Sequence, residues 1–291
     1  ILYAGGVNVP LSIKLTDREI VFRIEHSQAR FLVVSTHFLG RIKRIEPQLS
    51  GVEKIIVFNG RGLEDSYCSF ETLLERGGEW RKKHPDEFRG RLNSIVSEDL
   101  VNISYTSGTT ADPKGIMLSH KNYVTNVLQA DSLISIPTSY KVLLFLPWDH
   151  SFAHTVGIYS FMYNGASVAS VDFGRSPMEY LRNIPENMRE IKPEILLSVP
   201  SLAKNFKKNI EAGIREKGKW TEKFYHWGLW LTYIYNGLGA DQGRGLRILL
   251  KPLVKFWDRI FFSKIRQIFG GNLRFFIGGG ALLDLELQRY Y

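Results

Sequence analysis

Residues 104–115 carry the side chains best suited to chemistry. The segment reads Ser104-Tyr-Thr-Ser-Gly-Thr-Thr-Ala-Asp-Pro-Lys-Gly115. Its small residues let backbone N–H groups approach an anion closely, its hydroxyl groups can donate to phosphate oxygens, and its lysine can follow the phosphates as charge moves. We therefore predict a phosphate-binding loop at Tyr105–Gly115. The predicted ligand-binding residues are Thr106, Ser107, Gly108, Thr109, Thr110 and Lys114, of which Thr109 and Lys114 are predicted to be catalytic.

The simplest alternative for this segment is a Ser/Thr-rich surface turn, which the order of its glycines, proline and lysine disfavours. The P-loop of kinases and GTPases requires Gly-Lys-Ser/Thr, whereas Pro113-Lys114-Gly115 stands in that place. A helix is expected from Ser119, with Ser119 as its N-cap. Its dipole would favour the phosphates if the helix begins close to the loop.

A second polar cluster reads Leu146-Pro-Trp-Asp-His-Ser-Phe152. His150 and His154 are four residues apart, but a zinc-protease helix needs Glu where Ser151 stands, so no metal site is predicted. Asp149, His150 and Ser151 do not form a triad by adjacency, because triad members meet in space. A purely structural His150 remains an alternative.

Alternating short apolar runs and amphipathic stretches must position these groups. Thr16 and Glu19 form a capping-box pattern, which predicts a helix to about His26. The polar region 59–98 is expected to be helix and loop, and a second helix is predicted from Pro177 to about Ile191. The predicted strands are 31–35, 52–58, 101–105, 142–146, 167–171, 194–199 and 273–277. The fold class is α/β, with helix-covered β-sheets.

Composition excludes little, but charge is unevenly distributed. The 291-residue chain has one cysteine, Cys68, and a net charge of +9. Residues 204–266 contain fourteen Lys/Arg and five Asp/Glu, so this segment accounts for the whole excess. Its many aromatic residues, and a basic residue every fourth position from Arg247 to Arg259, predict a basic amphipathic helix that Pro252 kinks. No apolar run reaches the ~20 residues of a membrane span.

The loop at 105–115 resembles the Tyr-Thr-Ser-Gly-Thr-Thr-Gly-x-Pro-Lys-Gly motif of the adenylate-forming superfamily, which includes acyl-CoA synthetases, with Ala111 in place of a glycine. Residues 4–11, Ala-Gly-Gly-Val-Asn-Val-Pro-Leu, are similar to another family segment. The resemblance places His150 beside the acyl site and Gly279, Gly280 and Ala281 against adenine. It also implies that residues 1–291 are part of the large N-terminal domain and that 204–266 is a helical insertion like that of long-chain fatty acyl-CoA synthetases.

The activity that this resemblance implies is ATP-dependent activation of a long-chain fatty acid through an acyl-adenylate to acyl-CoA, with ATP, Mg²⁺ and coenzyme A. The alternatives are a fatty acyl-AMP ligase, a peptide-synthetase adenylation domain and a non-catalytic membrane-binding protein. Both ends of the sequence are expected to be cut, so little thioester formation is expected from these residues alone. The expected location is cytoplasmic, with segment 204–266 packed on the domain, lying on an anionic inner membrane surface, or both. No nucleic-acid partner is expected.

Overall fold

A computed structural model describes residues 1–60, 63, 66–106, 112–174, 176–237 and 243–291. The chain divides into two compact units. The first contains residues 1–126 and 147–151, and the second contains residues 127–146 and 152–291. The elements of each unit alternate between strands and helices, which confirms the predicted α/β class.

The first unit is built around a short parallel sheet whose strand order is β1-β2-β3. Isoleucine, leucine and valine side chains from this sheet and from two helices form its core, with Val57 fully buried. The strands of this sheet and the helices before, between and after them are α1 (Asp17–Ser27), β1 (Phe31–Ser35), α2 (Thr36–Ile45), β2 (Lys54–Phe58), β3 (Tyr67–Ser69), α3 (Phe70–Lys83) and α4 (Pro85–Ser94).

An antiparallel hairpin completes the first unit. It pairs β4 (Leu100–Thr106) with β5 (Lys114–Ser119). Helix α5 (His120–Leu133) follows and contains the boundary between the two units. The predicted strand at 101–105 is confirmed, whereas β5 and the short strand β3 were not predicted.

The second unit contains a parallel sheet with the strand order β7-β6-β8-β9. The central strands β6 and β8 are nearly inaccessible to solvent, as expected for a parallel sheet covered on both faces. Its elements are β6 (Lys141–Leu144), α6 (Ser160–Tyr163), β7 (Ser167–Ser170), α7 (Pro177–Ile191), β8 (Ile195–Ser198), α8 (Pro200–Arg215), α9 (Lys219–Asn236), α10 (Lys251–Trp257), α11 (Ser263–Ile268), β9 (Phe275–Gly278) and α12 (Leu285–Tyr290). Predicted helix α7 is confirmed at both ends.

The described residues of segment 204–266 are largely helical, but the basic residues from Arg247 to Arg259 do not lie on one regular helix. A 3₁₀ helix at Gly245–Leu250 leads into α10, and a π-helix at Asp258–Phe262 follows it. Pro252 lies in the first turn of α10, where a missing N–H costs no intrahelical bond. The prediction that Pro252 kinks a helix is therefore wrong, because α10 begins at Lys251, one residue before the proline.

Candidate functional site: a phosphate-loop hairpin and the ends of a parallel sheet

The hairpin of β4 and β5 fixes both ends of the predicted phosphate loop. Thr106 pairs with Lys114, and Tyr105 pairs with Gly115, in the last rungs of the antiparallel ladder. Thr106 and Lys114 are both exposed, so the hydroxyl and the ammonium group stand side by side where the chain enters and leaves the loop. The predicted ligands Ser107, Gly108, Thr109 and Thr110, with Ala111, lie outside the described residues, and their roles stay predictions.

The loop is separated from the helix that was expected to support it. Ser119 does cap α5, because its Oγ accepts a hydrogen bond from the backbone N of Asn122 at 3.3 Å. However, the six-residue strand β5 lies between the loop and the helix, a length of about 20 Å. The start of α5 is therefore not next to Lys114 at the far end of β5, and a helix dipole acts mainly within about one turn of its end.

The amino-terminal segment that resembles the family holds the hairpin from its other side. Asn8 donates its backbone N–H to the Val101 carbonyl at 2.9 Å and accepts from the Ile103 N–H at 2.9 Å. Buried Asn102 donates to Ser104 Oγ at 2.7 Å, and its Oδ1 accepts from the Asn8 side chain at 3.3 Å. These bonds satisfy polar groups that would otherwise be buried unpaired, and they fix the register of β4.

Tyr105 is held by helix α1 at the point where β4 enters the loop. Its hydroxyl lies 2.8 Å from Nδ1 of His26 and donates toward the Arg23 carbonyl at 3.4 Å. The Arg23 guanidinium lies over the phenol ring at 5.6 Å from its centroid. Burial raises the pKa of Tyr105, an effect that the Arg23 charge opposes, so the hydroxyl keeps its proton near neutral pH. Sequence reasoning gave Tyr105 and His26 no role.

Gly115 leaves room for that tyrosine ring. A methyl group at Gly115 would lie 3.0 Å from the Ile103 side chain and 3.3 Å from Cζ of Tyr105. The tyrosine ring therefore packs over the glycine next to Lys114. Both sides of the loop entrance are thus fixed by packing as well as by the ladder.

His150 occupies an exposed bend after β6 rather than a helix. Its backbone N–H donates to the Pro147 carbonyl at 3.3 Å. The π-helix Ala153–Tyr159 begins after it and contains His154, so the two histidines do not share one regular helical face. No cluster of metal-ligating side chains occurs in the part of the chain that the structure describes.

Gly279, Gly280 and Ala281 follow β9 in the second unit. The Gly279 N–H donates to the Ser198 carbonyl at 3.1 Å, which extends the pairing of β8 and β9 by one residue. Gly280 has a φ of 82°, a conformation that glycine adopts without strain. Gly280 and Ala281 are exposed, and the backbone there offers a surface without bulky side chains. The role of these three residues against adenine stays a prediction.

Phe152, to which sequence reasoning gave no role, packs directly against Gly279. A methyl group at Gly279 would lie 2.7 Å from Cε2 and Cζ of the Phe152 ring. The segment after β6 and the segment after β9 therefore meet at the carboxyl end of the parallel sheet. Ligands of open parallel sheets bind outside this end of the strands. Phe152 and Gly279 both belong to the second unit, so this contact lies within one unit.

The predicted site residues fall in both units. Thr106, Lys114 and His150 belong to the first unit, and Gly279, Gly280 and Ala281 belong to the second. Thr106 and Lys114 lie at strand ends and Gly279 directly follows one, whereas His150 lies in a bend and not at the end of a strand.

Comparison with known families decides the class. The sequence pattern of the AMP-binding enzymes matches residues 1–291. The chain belongs to the AMP-binding enzyme family. Long-chain-fatty-acid–CoA ligase 4 of Saccharomyces cerevisiae is 29% identical over 228 residues, covering 76% of this chain and 29% of the yeast protein. Long-chain-fatty-acid–CoA ligase FadD15 of Mycobacterium bovis is 25% identical over 294 residues, covering 100% of this chain and 46% of the relative.

Solved structures show the same fold. The adenylation domain of a carboxylate reductase from Mycobacterium chelonae superimposes with a TM-score of 0.60 at 18% identity, over 97% of this chain and 40% of that chain. The N-terminal domain of FACL13 from Mycobacterium tuberculosis gives a TM-score of 0.57 at 18% identity, over 99% and 54%. The chain spans less than half the length of each of these two curated relatives.

Proposed function

We propose that this chain is part of a ligase that activates a long-chain fatty acid with ATP, forming an acyl-adenylate and then acyl-CoA. The observation that carries the proposal is the hairpin of β4 and β5, which sets Thr106 and Lys114 opposite each other across a loop of hydroxyl and glycine residues. The curated relatives named as long-chain-fatty-acid–CoA ligases support the substrate class.

In the first step, a carboxylate oxygen of the fatty acid attacks the α-phosphorus of ATP. The bond to the bridging oxygen of the β-phosphate breaks, and pyrophosphate leaves with the negative charge. Lys114 and the hydroxyls of Thr106–Thr110 would hold the phosphates and offset this charge. Lys114 suits this role because its backbone is fixed by the ladder while its four-carbon side chain can follow the leaving group. Mg²⁺ would be bound mainly by the nucleotide phosphates.

In the second step, the coenzyme A thiolate attacks the acyl carbon of the mixed anhydride and AMP leaves. Gly279, Gly280 and Ala281 would support the adenine ring through both steps, and His150 would border the acyl chain. A fatty acyl-AMP ligase, which stops at the adenylate or passes it to a carrier protein, is the alternative within this family. The 291-residue chain alone is expected to form little thioester, because its curated relatives are more than twice as long.

The test is pyrophosphate release by the full-length protein with palmitate and Mg-ATP, with and without coenzyme A. Lys114→Ala is expected to reduce release about 100-fold, the typical loss when one donor to a developing charge is removed. Lys54→Ala is a matched control, since Lys54 is also an exposed lysine at the first position of a strand. Continuous release that requires coenzyme A supports the synthetase, and release that ignores coenzyme A supports the acyl-AMP ligase. No release with any fatty acid would overturn the substrate assignment.

We also propose that the helices of segment 204–266 contact an anionic membrane surface. Helices α9 and α10 pack through Trp257, which is 1% exposed and lies against Gly228. The rings of Phe224 and Trp227 meet Trp257 edge-on, with centroids 4.6 Å and 5.5 Å away. One tryptophan thus joins the two helices, while most of the neighbouring aromatic side chains stay outside.

The side chains left outside form an aromatic face that a lipid interface would suit. The aromatic face consists of Trp220, Phe224, Trp227 and Trp230 on α9 and Leu253 and Phe256 on α10, each between 49% and 81% exposed. Exposed lysines lie among them, and the Lys223 ammonium sits 5.3 Å from the Trp220 ring centroid. Lys251 and Lys255 are exposed on α10. Interfacial helices combine tryptophan and phenylalanine with lysine in this way.

Sedimentation with vesicles tests this contact. Vesicles of phosphatidylserine and phosphatidylcholine should pellet the protein. Vesicles of phosphatidylcholine alone, or the mixed vesicles in roughly 0.5 M salt, should pellet much less of it, because each basic residue adds about 1 kcal/mol near an anionic surface and salt screens this attraction. Trp227→Ala should weaken binding, whereas Trp80→Ala on α3 is the control. Equal binding of both variants would exclude the aromatic face. Among the described residues, no helix is long and apolar enough to span a bilayer, so the proposed contact is peripheral.

A further inference from the structure

We propose that His26 is a positioning residue for the phosphate loop, acting through its hydrogen bond to Tyr105. The inference rests on the proposed function, because it assumes that the loop binds the phosphates of ATP. His26 lies on the last turn of α1 and Tyr105 lies in β4, 79 positions away along the chain. The bond between Nδ1 and the phenol oxygen is 2.8 Å long.

The contact between α1 and β4 combines ring packing with the hydrogen bond. The His26 ring stacks on Phe22 with centroids 5.3 Å apart, and it meets the Tyr105 ring edge-on at 5.7 Å. Phe22 also meets the Tyr105 ring edge-on at 6.4 Å. The imidazole is therefore oriented by packing before it bonds the hydroxyl, so its position is transmitted to the tyrosine.

Tyr105 passes this constraint to both ends of the loop. Its backbone pairs with Gly115, and its ring packs over the same glycine. Thr106 and Lys114 are the next residues on the two strands and pair with each other. Loss of the hydroxyl anchor would let the ring and the last rungs of the ladder move, and the spacing between the Thr106 hydroxyl and the Lys114 ammonium would widen. Nucleotide binding should respond more than fatty acid binding, since the ladder ends face the phosphate loop.

Three substitutions isolate the hydrogen bond. His26→Phe keeps an aromatic ring for Phe22 and Tyr105 but removes Nδ1. Tyr105→Phe keeps the ring over Gly115 but removes the hydroxyl. His26→Asn places an amide near the position of Nδ1 and should restore part of the bond. His37→Phe is the matched control, because His37 is also an exposed histidine on a helix of the first unit.

The first measurement is hydrogen exchange of the amides at the end of the hairpin, which does not depend on activity. Exchange at Thr106 and Lys114, the last pair of the ladder, should rise roughly 3- to 10-fold in His26→Phe and in Tyr105→Phe, corresponding to one net hydrogen bond. The double variant should exchange no faster than either single variant, because both remove the same bond. His37→Phe should match the parent protein. Unchanged exchange in His26→Phe would overturn the proposal, whatever the enzyme activity.

The second measurement separates positioning from stability. The KM for Mg-ATP in pyrophosphate release should rise roughly 3- to 10-fold in His26→Phe, the KM for palmitate should stay within twofold, and His26→Asn should recover at least half of the loss on a logarithmic scale. Faster exchange with an unchanged KM for Mg-ATP would also overturn the proposal. If the parent protein releases no pyrophosphate, the proposed function fails, and hydrogen exchange still decides whether the anchor exists.

Discussion

Substitution of Gly279 by alanine tests the contact between Gly279 and Phe152 in the second unit. The added methyl group would lie 2.7 Å from two atoms of the Phe152 ring and 3.0 Å from a third. Carbon atoms pack at about 3.5–4.0 Å, so the ring or the backbone must move by about 1 Å. Neighbouring Gly278 provides the control, because a methyl group there would have no heavy atom within 4 Å.

The magnitude follows from which atoms must move. Overpacking a rigid core costs about 1–3 kcal/mol, but the colliding atoms belong to the outer end of a partly buried ring. We therefore expect the lower end of that range, about 1 kcal/mol, with a fall in melting temperature of about 2–4 °C. Gly278→Ala should change the free energy of unfolding by less than about 0.5 kcal/mol.

Thermal unfolding and kinetics of the same variants supply the assay. A displaced Phe152 should also raise the KM for palmitate in Gly279→Ala, since that residue belongs to the predicted acyl-site motif. Phe152→Leu shortens the side chain, so adding Gly279→Ala on that background should cost almost no further stability. Equal melting temperatures for Gly278→Ala and Gly279→Ala, or the same loss in both backgrounds, would refute the contact.

Two further predictions concern stability. Gly228→Ala should lower the free energy of unfolding by about 1 kcal/mol, because its methyl group would lie 2.9 Å from the buried Trp257 ring, a cost that exceeds the gain in helix propensity. In Gly77→Ala on α3, the methyl group would have no heavy atom within 4 Å, so this variant should raise the free energy of unfolding by about 0.5–1 kcal/mol. Denaturant titration measures both variants, and equal changes would contradict the prediction. Thr16→Ala removes the capping box of α1 and should cost about 1 kcal/mol at pH 7. Hydrogen bonds from Thr16 lower the pKa of Glu19 below its ordinary 4.5. The contribution of Glu19 to stability is therefore fully present above this ordinary pKa and is lost as the pH falls through the lowered one. A stability loss in Thr16→Ala that did not change with pH would exclude the Glu19 contribution.

Local sequence signals predicted the elements that they specify locally. The Thr16–Glu19 capping box marks the start of α1, and the structure contains both of its hydrogen bonds. Pro177 and Ile191 bound α7 as predicted. Strand β5 was missed because its stability comes from pairing with β4, whereas Ile116 and Met117 remain exposed and give no alternating pattern. A strand defined by its partner leaves a weak signal in its own residues.

In the candidate site, too, local residue types were predictable and contacts between distant residues were not. The composition of the loop predicts Lys114 and Thr106 as anion-binding residues, because chemistry depends on residue type. Composition could not identify His26 or Phe152, whose partners are distant in the sequence and are chosen by packing. In segment 204–266, composition predicted helices and charge but not that Trp257 would be buried while Trp220 remained 81% exposed. Which aromatic residue is buried depends on Gly228 on the opposing helix.

The hairpin explains why a lysine at a strand end can serve a reaction whose charge moves. A lysine in the centre of a glycine-rich loop would lose backbone and side-chain freedom together on binding, and both losses oppose affinity. The backbone of Lys114 is already ordered by its pairing with Thr106, so binding needs to restrict only the side chain. In the proposed reaction, the ammonium group of Lys114 could then follow the leaving phosphates from a backbone that is already fixed, which is the positioning that the proposed adenylyl transfer needs.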